Sequence, residues 1–538
     1  MSLSLPLIRQ LCDRSFYHFV KIVGGSVGQG GVISPVIHKP LCDFYQDRSI
    51  HRKAIFMPRA WLKCVHPDTL VQMADGSEKK IRDIRVGDRV VGYDGFSQVF
   101  SEVSGKWESE AELYDIRFRS GRSVIASDKH RFLQVDGSYQ ALPKYSASIR
   151  GLKTEPTSEI SLDDAALIAY LVAEGCMVSG NMSFTNGIKE VQDDFEAIVS
   201  RKGWAFRKAT HTGCVEYRLN GGDIKGKHRG TPRDWARSFG IYDKSSREKT
   251  LPDAIMTANK DTLTRVIEVL FATDGTLGVY GGIAQVGYCS VSKSLCLQIQ
   301  NILNRFGVFS SVVFVANDYG GAYHLRVSGG DNWAKFVSLF NIPGKGKAQE
   351  AVRAAGVRNG HNTPSDLLPS DVRDLVTEIG LRRDGVRIDN HYGISRSKAS
   401  RIPSIAGIAS AEVNWDDVVS CERVGLGPAI DIETTSGNYV ANGLITHNST
   451  VFTCWGTVWD YLQDYNCRTL IASQNDDNAK RFLWFIQHQF KTNHLLRKLY
   501  PDLEQIDNVW VKRNRWSAKC VELPRGIPFK EGRLHLSA

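Results

Sequence analysis

The chain changes its periodicity at Cys64 and changes it back after Asn448, and this double break constrains the fold more than any other feature. Before it, Lys53-Ala54-Ile55-Phe56-Met57 reads as a short buried strand, with Pro58 to Lys63 as the loop leaving its carboxyl end. From Cys64 onward short alternating segments take over. They are clearest where Tyr114, Ile116 and Phe118 share one face and Asp115, Arg117 and Arg119 the other. Turns at Asp75-Gly76, Asp94-Gly95 and Asp136-Gly137 punctuate them as hairpins. The same β style returns at Ile430 to Thr434 and at Tyr439-Val440-Ala441, before an Asn442-Gly443 turn and Leu444 to Asn448. The two β pieces are expected to form one sheet system. From Ser449 the chain reads as a helical start through Trp455, then a strand over Arg468 to Ser473 and a helix from Asn478 to Phe490. Without residues 64–448, Lys63 would abut Ser449. The joined text, Pro-Arg-Ala-Trp-Leu-Lys-Ser-Thr between strand and helix, has the look of a phosphate-binding loop.

At 538 residues the chain is too long for one ordinary domain, and three or more are expected. Its 42% hydrophobic and 23% charged residues exclude wholesale disorder and collagen-like repeats. No apolar run approaches the ~20 residues a bilayer requires, and Met1 to Val20 carries Pro6, Arg9, Asp13 and Arg14 where a signal sequence wants an apolar block. The expectation is a cytoplasmic protein with no membrane partner. Eleven cysteines, none in a Cys-x-x-Cys pair, indicate neither a disulfide framework nor a thiolate zinc site. The net charge of +10 suggests an anionic partner, and residues 201–249 concentrate it, with 13 basic against 5 acidic residues. Trp204, Phe206, Tyr217 and Trp235 are interspersed there.

The stretch from Cys64 to Asn448 has 385 residues, more than a single β unit needs, so a second domain is nested inside it. Ala165 to Gly175 is apolar nearly all round and ends in Glu174-Gly175; Leu263 to Gly275 repeats the design and ends in Asp274-Gly275. Helices apolar on most faces pack against each other, and Ala169, Ala173 and Ala272 permit close approach. A carboxylate at a helix carboxyl terminus opposes the macrodipole by roughly 0.3 to 1 kcal/mol. Side by side, Glu174 and Asp274 repel unless Mg2+ lies between them, the arrangement a metal-assisted phosphodiesterase needs.

Three groups of residues carry a family resemblance. Cys64 to Val71 with Ile84 to Val90, then Gly121 to His130 ending Ser127-Asp128-Lys129-His130, then Asp431 through His447-Asn448 to Ser449, resemble the blocks of inteins. The resemblance implies an all-β Hint (hedgehog/intein) domain and autocatalytic protein splicing without a cofactor. By it, Cys64 attacks the Lys63 carbonyl to give a thioester, with His130 protonating the departing amide nitrogen and Ser127 orienting the peptide. Ser449 then takes the acyl group onto its hydroxyl, Asp431 tunes both nucleophiles, and Asn448 cyclises through its side-chain nitrogen with help from His447. One departure from the family stands out, because Gly437-Asn438-Tyr439 occupies the place of a histidine often found early in the closing block.

The nested helices resemble the LAGLIDADG homing endonucleases of the two-motif monomeric kind, Glu174 replacing an aspartate in the first motif. Lys249-Thr250-Leu251-Pro252 is similar to that family's Lys-x-hydrophobic-Pro block, which implies a lysine near the scissile phosphate. Tyr288 to Leu295, followed by Ile299, Ile302, Leu303 and Phe306-Gly307, is similar to its post-motif strand and helix. Implied with the resemblance are Glu174 and Asp274 as Mg2+ ligands, and double-stranded DNA as the partner. The basic residues from Arg201 to Arg247 would then contact phosphates.

Pro58-Arg59 before the joined loop, and the strand and helix after it, resemble the variant Walker A region of phage terminase large subunits. By that resemblance Lys63 and Arg59 contact the phosphates of ATP and Ser449 its Mg2+, once splicing has joined them; phage DNA and the packaging machinery are the partners, in an infected or lysogenic bacterium. The expected division is a host piece over 1–63, Hint over 64–150 and 405–448, the α/β endonuclease over 151–344, an accessory DNA-recognition segment over 345–404 and a second α/β P-loop ATPase piece over 449–538. The runner-up reading is a P-loop ATPase fragment whose insert no longer cleaves DNA. A DNA-binding protein without catalysis is a third.

Overall fold

The computed structural model describes residues 4–24, 46, 64–135, 137, 139–178, 182–220, 231–318, 320–358, 367–369, 371–372, 394–402, 405–447, 452–464, 470–471, 476–501, 503, 520–521 and 534–536. Lys63, Arg59, Asn448 and Ser449 lie outside these residues, as does the strand expected over 53–57.

Both β pieces meet in one unit, as their alternation requires. Its spine is a two-stranded ribbon, Gln98–Phe118 antiparallel to Val413–Thr434, with register shifts between Val418 and Ser420, Arg423 and Gly425, and Glu433 and Thr434. A six-stranded sheet runs in the order Glu78–Lys80, Leu70–Gln72, Asn438–Ala441, Leu444–His447, Arg131–Leu133, Tyr139–Ala141. Residues from before and after the nested domain therefore alternate within one sheet. The Asp75-Gly76 and Asp94-Gly95 turns form where expected, with φ of +101° at Gly76 and +104° at Gly95, conformations that glycine adopts without strain; Gly137 has φ of +78°, and Asp136 lies outside the described residues. Val65, Val71, Ile116, Phe132, Ile430, Ile432 and Tyr439 fill the core.

The nested domain is a duplication. Each half runs helix, strand, strand, helix, strand, strand, helix, beginning with Leu162–Glu174 and with Lys260–Thr273. The two four-stranded sheets share one strand order, the first strand pairing the second, the second the fourth and the fourth the third. The two leading helices pack against each other, and one core, from Ala165 to Ala355, spans both halves. The helix Gly346–Arg358 belongs to that core through Val352 and Ala355, so the domain runs beyond residue 344. The rest of the described 345–404 segment divides away from it: Ile394, Ala399 and Ile402 pack on Val135 and Tyr145 of the β unit.

The helix Lys293–Arg305 joins the two units. Arg305 donates to the carbonyl of Gly76 at 2.6 Å, Asn301 to Gln72 at 2.6 Å and Asn304 to the carbonyl of Ile149 at 2.8 Å. The flanks form a third body. Phe16 lies 5.4 Å from Trp459 between ring centroids, Trp459 Nε1 donates to the carbonyl of Cys12 at 3.0 Å and Tyr500 donates to Asp13 at 2.6 Å. Residues before Cys64 and after Ser449 thus share one hydrophobic core across the interruption. In the second flank, Leu470–Ile471 pairs parallel with Leu534–Leu536.

Candidate functional site

The seam at Cys64 is held by backbone pairing on both sides. Val65 bridges to Ala126 and to Ile430, which wedges residue 64 between the strand Ser123–Ser127 and the ribbon. Cys64 N–H donates to Ser127 Oγ at 3.3 Å, and Ser127 N–H donates back to the Cys64 carbonyl at 2.9 Å. The amide nitrogen that would depart in a rearrangement at Cys64 is therefore gripped by the predicted serine. His130 N–H donates to the Ser127 carbonyl at 3.0 Å, and the imidazole is fully buried against Phe132. Asp431, next to the Val65-bonded Ile430, is 2% exposed.

Of the residues predicted for this centre, Cys64, Ser127, His130 and Asp431 are brought together. Backbone pairing draws in the other seam: Thr446 pairs with Phe132, two residues beyond His130, and His447 pairs with Asn438. Burial pushes the Cys64 thiol up to about 11, and Asp431 acts in the same direction. As a negative charge, Asp431 opposes the thiolate. Any tuning of Cys64 by Asp431 therefore holds the thiol protonated, and Asp431 can favour attack only by accepting the proton.

Two residues at this centre were missed. Ser109 Oγ lies 3.3 Å from Cys64 Sγ. The Tyr439 phenol is fully buried, and both Asp431 and Cys64 push its pKa upward. Its sequence signal was its place beside the missing histidine.

The second constellation sits at the ends of the paired helices. Glu174 and Asp274 close them; burial is the first cause raising the pKa of both, and Asp274 adds to the rise at Glu174. Asn186 donates to Glu174 at 2.6 Å and Tyr288 to Asp274 at 3.4 Å. The glycines that follow are needed for space. A Cβ on Gly175 would lie 2.5 Å from the Leu171 carbonyl oxygen, and one on Gly275 2.5 Å from that of Phe271. Gly175 is extended, with φ of −83°, and so departs from the left-handed glycine cap common at helix ends.

Lys249, predicted to approach a phosphate, is 8% exposed and turned inward. Its Nζ donates to the carbonyls of Gly175 at 2.6 Å and Leu171 at 3.2 Å, capping the helix that ends in Glu174. Lys345 does the same for the other helix, donating to the carbonyls of Phe271, at 2.6 Å, and Gly275. It was missed because the assigned domain stopped one residue short of it. Burial lowers the pKa of both lysines, while the two carboxylates pull it up.

A divalent cation fits this pair. Both carboxylates supply hard oxygen donors, both are held in surroundings that disfavour their charge, and each lies at a helix end that repels anions. Among the described residues no cluster of three or more His, Cys, Asp or Glu completes a cage, so further oxygens would come from a phosphate-bearing ligand.

The basic stretch is less free than its composition suggests. Arg201 pairs with Asp163, Lys202 with Asp164, Lys208 with Glu196, Arg218 with Glu216 and Arg237 with Asp234. Trp204 and Trp235 meet edge to face at 5.3 Å between ring centroids, and Phe206 meets Tyr217 at 5.5 Å. Tyr217 belongs to the domain's core, and the other three pack against it half-buried. Arg396, in the expected DNA-recognition segment, donates inward to the carbonyls of Ala409, Ala411 and Val413. No helix among the described residues is long and apolar enough to cross a membrane.

Residues 261–341 match the family model described as a LAGLIDADG-like domain. The chain is 27% identical over 446 residues to the replicative DNA helicase DnaB of Rhodothermus marinus, covering 72% of this chain and 46% of that one. It is 20% identical over 436 residues to the gyrase A protein, a DNA gyrase component, of Mycobacterium kansasii, covering 73% of this chain and 78% of the relative. The chain spans about half the length of the helicases it matches. Among solved structures it is similar to I-DmoI in complex with DNA and Mn, at 13% identity, 33% of this chain, 96% of that chain and a TM-score of 0.25. It is also similar to an Ssp DnaB mini-intein variant, at 10% identity, 72% of this chain, 99% of that chain and a TM-score of 0.22. Scores this low carry no argument. A terminase is not among these relatives, and the phage-packaging reading of the flanks gains no support from them.

Proposed function

We propose that residues 64–448 excise themselves and join Lys63 to Ser449, and that the nested domain cleaves double-stranded DNA at a specific site. The observation that carries the first half is the reciprocal grip of Ser127 on the Cys64 amide, with His130 and Asp431 buried beside it. In this reading Cys64 attacks the Lys63 carbonyl, His130 supplies a proton to the departing nitrogen, Ser449 accepts the acyl group and Asn448 cyclises to release the insert. The shared core of the two flanks supports it, because excision would leave one continuous host body.

The relatives support it by their extent. The 72% share of 538 residues is about 387, close to the 385 of the proposed insert, and a helicase and a gyrase match over nearly the same share. Two proteins of different named activity are similar over a length that suits a shared insert. Because a helicase and a gyrase match over the same share, these relatives name no host beyond the ATPase that the joined loop suggests, and none of them is a terminase. That host reading stays a proposal on the joined loop, where Lys63 and Ser449 would bind ATP and Mg2+.

For the nested domain, the matched LAGLIDADG-like segment and the paired carboxylates support a metal-dependent nuclease. A Mg2+ held by Glu174 and Asp274 would activate water and stabilise the leaving oxygen. The chain's own part is to hold those carboxylates together on helix ends capped by Lys249 and Lys345.

Denaturing electrophoresis with mass spectrometry of the expressed chain tests splicing. The expected products are a ligated Lys63-Ser449 species and a free insert, and Cys64→Ala with Asn448→Ala should lock the precursor. An intact precursor persisting in a complete, folded host would overturn the reading.

A further inference from the structure

The centre at Cys64 poses a difficulty for its own chemistry. The sulfur must gain negative charge to attack, yet Cys64 is 1% exposed and burial pushes its thiol up to about 11. Asp431 opposes that charge too. A group able to donate to the sulfur is required, and the Ser109 hydroxyl, which can donate or accept, lies 3.3 Å from it.

Register makes this placement firm. Ser109 pairs across the ribbon with Ala429, and the next residue, Ile430, exchanges backbone hydrogen bonds of 2.9 and 2.8 Å with Val65. Two strands and a bridge thus set Ser109 beside Cys64 through backbone pairing alone. Ser109 itself is exposed and fills no core, so its side chain has little to do for the fold.

We propose that Ser109 is a further residue of the splice centre, whose hydroxyl donates to the Cys64 sulfur as the thiol gives up its proton. The inference rests on the splicing reading above. In the step concerned, a bond forms between Cys64 Sγ and the carbonyl carbon of Lys63, and the bond from that carbon to the Cys64 nitrogen breaks. The proton leaving sulfur ends on the freed amine. Ser109 keeps its own proton throughout, and no co-reactant is consumed.

The test uses the full chain with Asn448→Ala and Ser449→Ala, which isolates the first step, and measures release of the N-terminal fragment by dithiothreitol across pH. Adding Ser109→Ala should slow release by roughly tenfold to a hundredfold, the scale of one lost hydrogen bond to a charged group. It should also move the rising limb of the pH profile upward, and Ser109→Thr should restore both. A merely structural serine would leave the pH profile in place. Release at the parental rate with an unshifted profile overturns the inference while leaving splicing intact. Should the parent with Asn448→Ala and Ser449→Ala release nothing, the splicing reading falls and this inference with it.

Discussion

The two centres of this chain handle charge in opposite ways. The centre at Cys64 keeps its nucleophile neutral: the thiol is buried and held protonated, Asp431 opposes its ionisation, and the hydroxyls of Ser109, Ser127 and Tyr439 stand nearby. The nested centre gathers charge, two buried carboxylates at anion-repelling helix ends with two lysines that act on them while donating to backbone carbonyls. A relay of acyl groups needs charge only in passing, so a dry site of hydroxyls suffices. Hydrolysis of a phosphodiester needs lasting positive charge, and a site whose lysines are committed to carbonyls and carboxylates would take more of it from an ion.

The sharpest way to break the comparison is to remove one centre and watch the other. Cys64→Ala should abolish N-terminal cleavage and ligation outright, seen as persistent precursor by mass spectrometry, while cleavage of target DNA continues. Asp274→Ala or Glu174→Ala should reduce DNA cleavage by about 100- to 1,000-fold, the scale of losing one group that stabilises transition-state charge, with splicing unchanged. Loss of both activities in either variant would show that the centres are not separate.

The lysines probe the point more finely. Lys345→Met and Lys249→Met each remove a cation and its hydrogen bonds to helix-end carbonyls, which should cost about 1 to 3 kcal/mol of stability. Equal losses in chemical denaturation would confirm the duplication as a working symmetry. A loss confined to Lys249 would show that Lys345 is peripheral.

How much of this was legible in the sequence follows from the range of the forces involved. Strand alternation around Tyr114 to Phe118 and the Asp-Gly turns are local, so the β unit and its hairpins could be read directly. The two acid-ended helices were legible because their apolar surface extends beyond one face, which only mutual burial explains. Ser109 was not, because nothing local marks it; it reaches Cys64 through a register set across 45 residues of chain. Lys345 stayed hidden for a similar reason, lying 70 residues from the carbonyl of Gly275 that it caps. The basic stretch misled because composition counts charges and not their partners: Asp163 and Asp164, outside the stretch, neutralise Arg201 and Lys202.

The gentlest test sharpens the contrast between the centres through pH. Burial raises the pKa of Glu174 and Asp274 in the folded chain, so between the ordinary carboxylate range and those raised values the folded state binds more protons than the unfolded one. Stability from this pair is therefore greatest at low pH and declines as pH rises through that window. A divalent cation binding the ionised pair would reverse the decline, by about 2.7 kcal/mol at one hundred times its dissociation constant. In scanning calorimetry, Mg2+ or catalytically silent Ca2+ should raise the nested domain's Tm by a few degrees at neutral pH and by less at pH 5. Glu174→Gln with Asp274→Asn should remove both the pH slope and the ion's effect. A Tm that ignores the ion at neutral pH, in a chain that still cleaves DNA, would mean the cation is held chiefly by the nucleic acid and would erase the proposed difference between the centres.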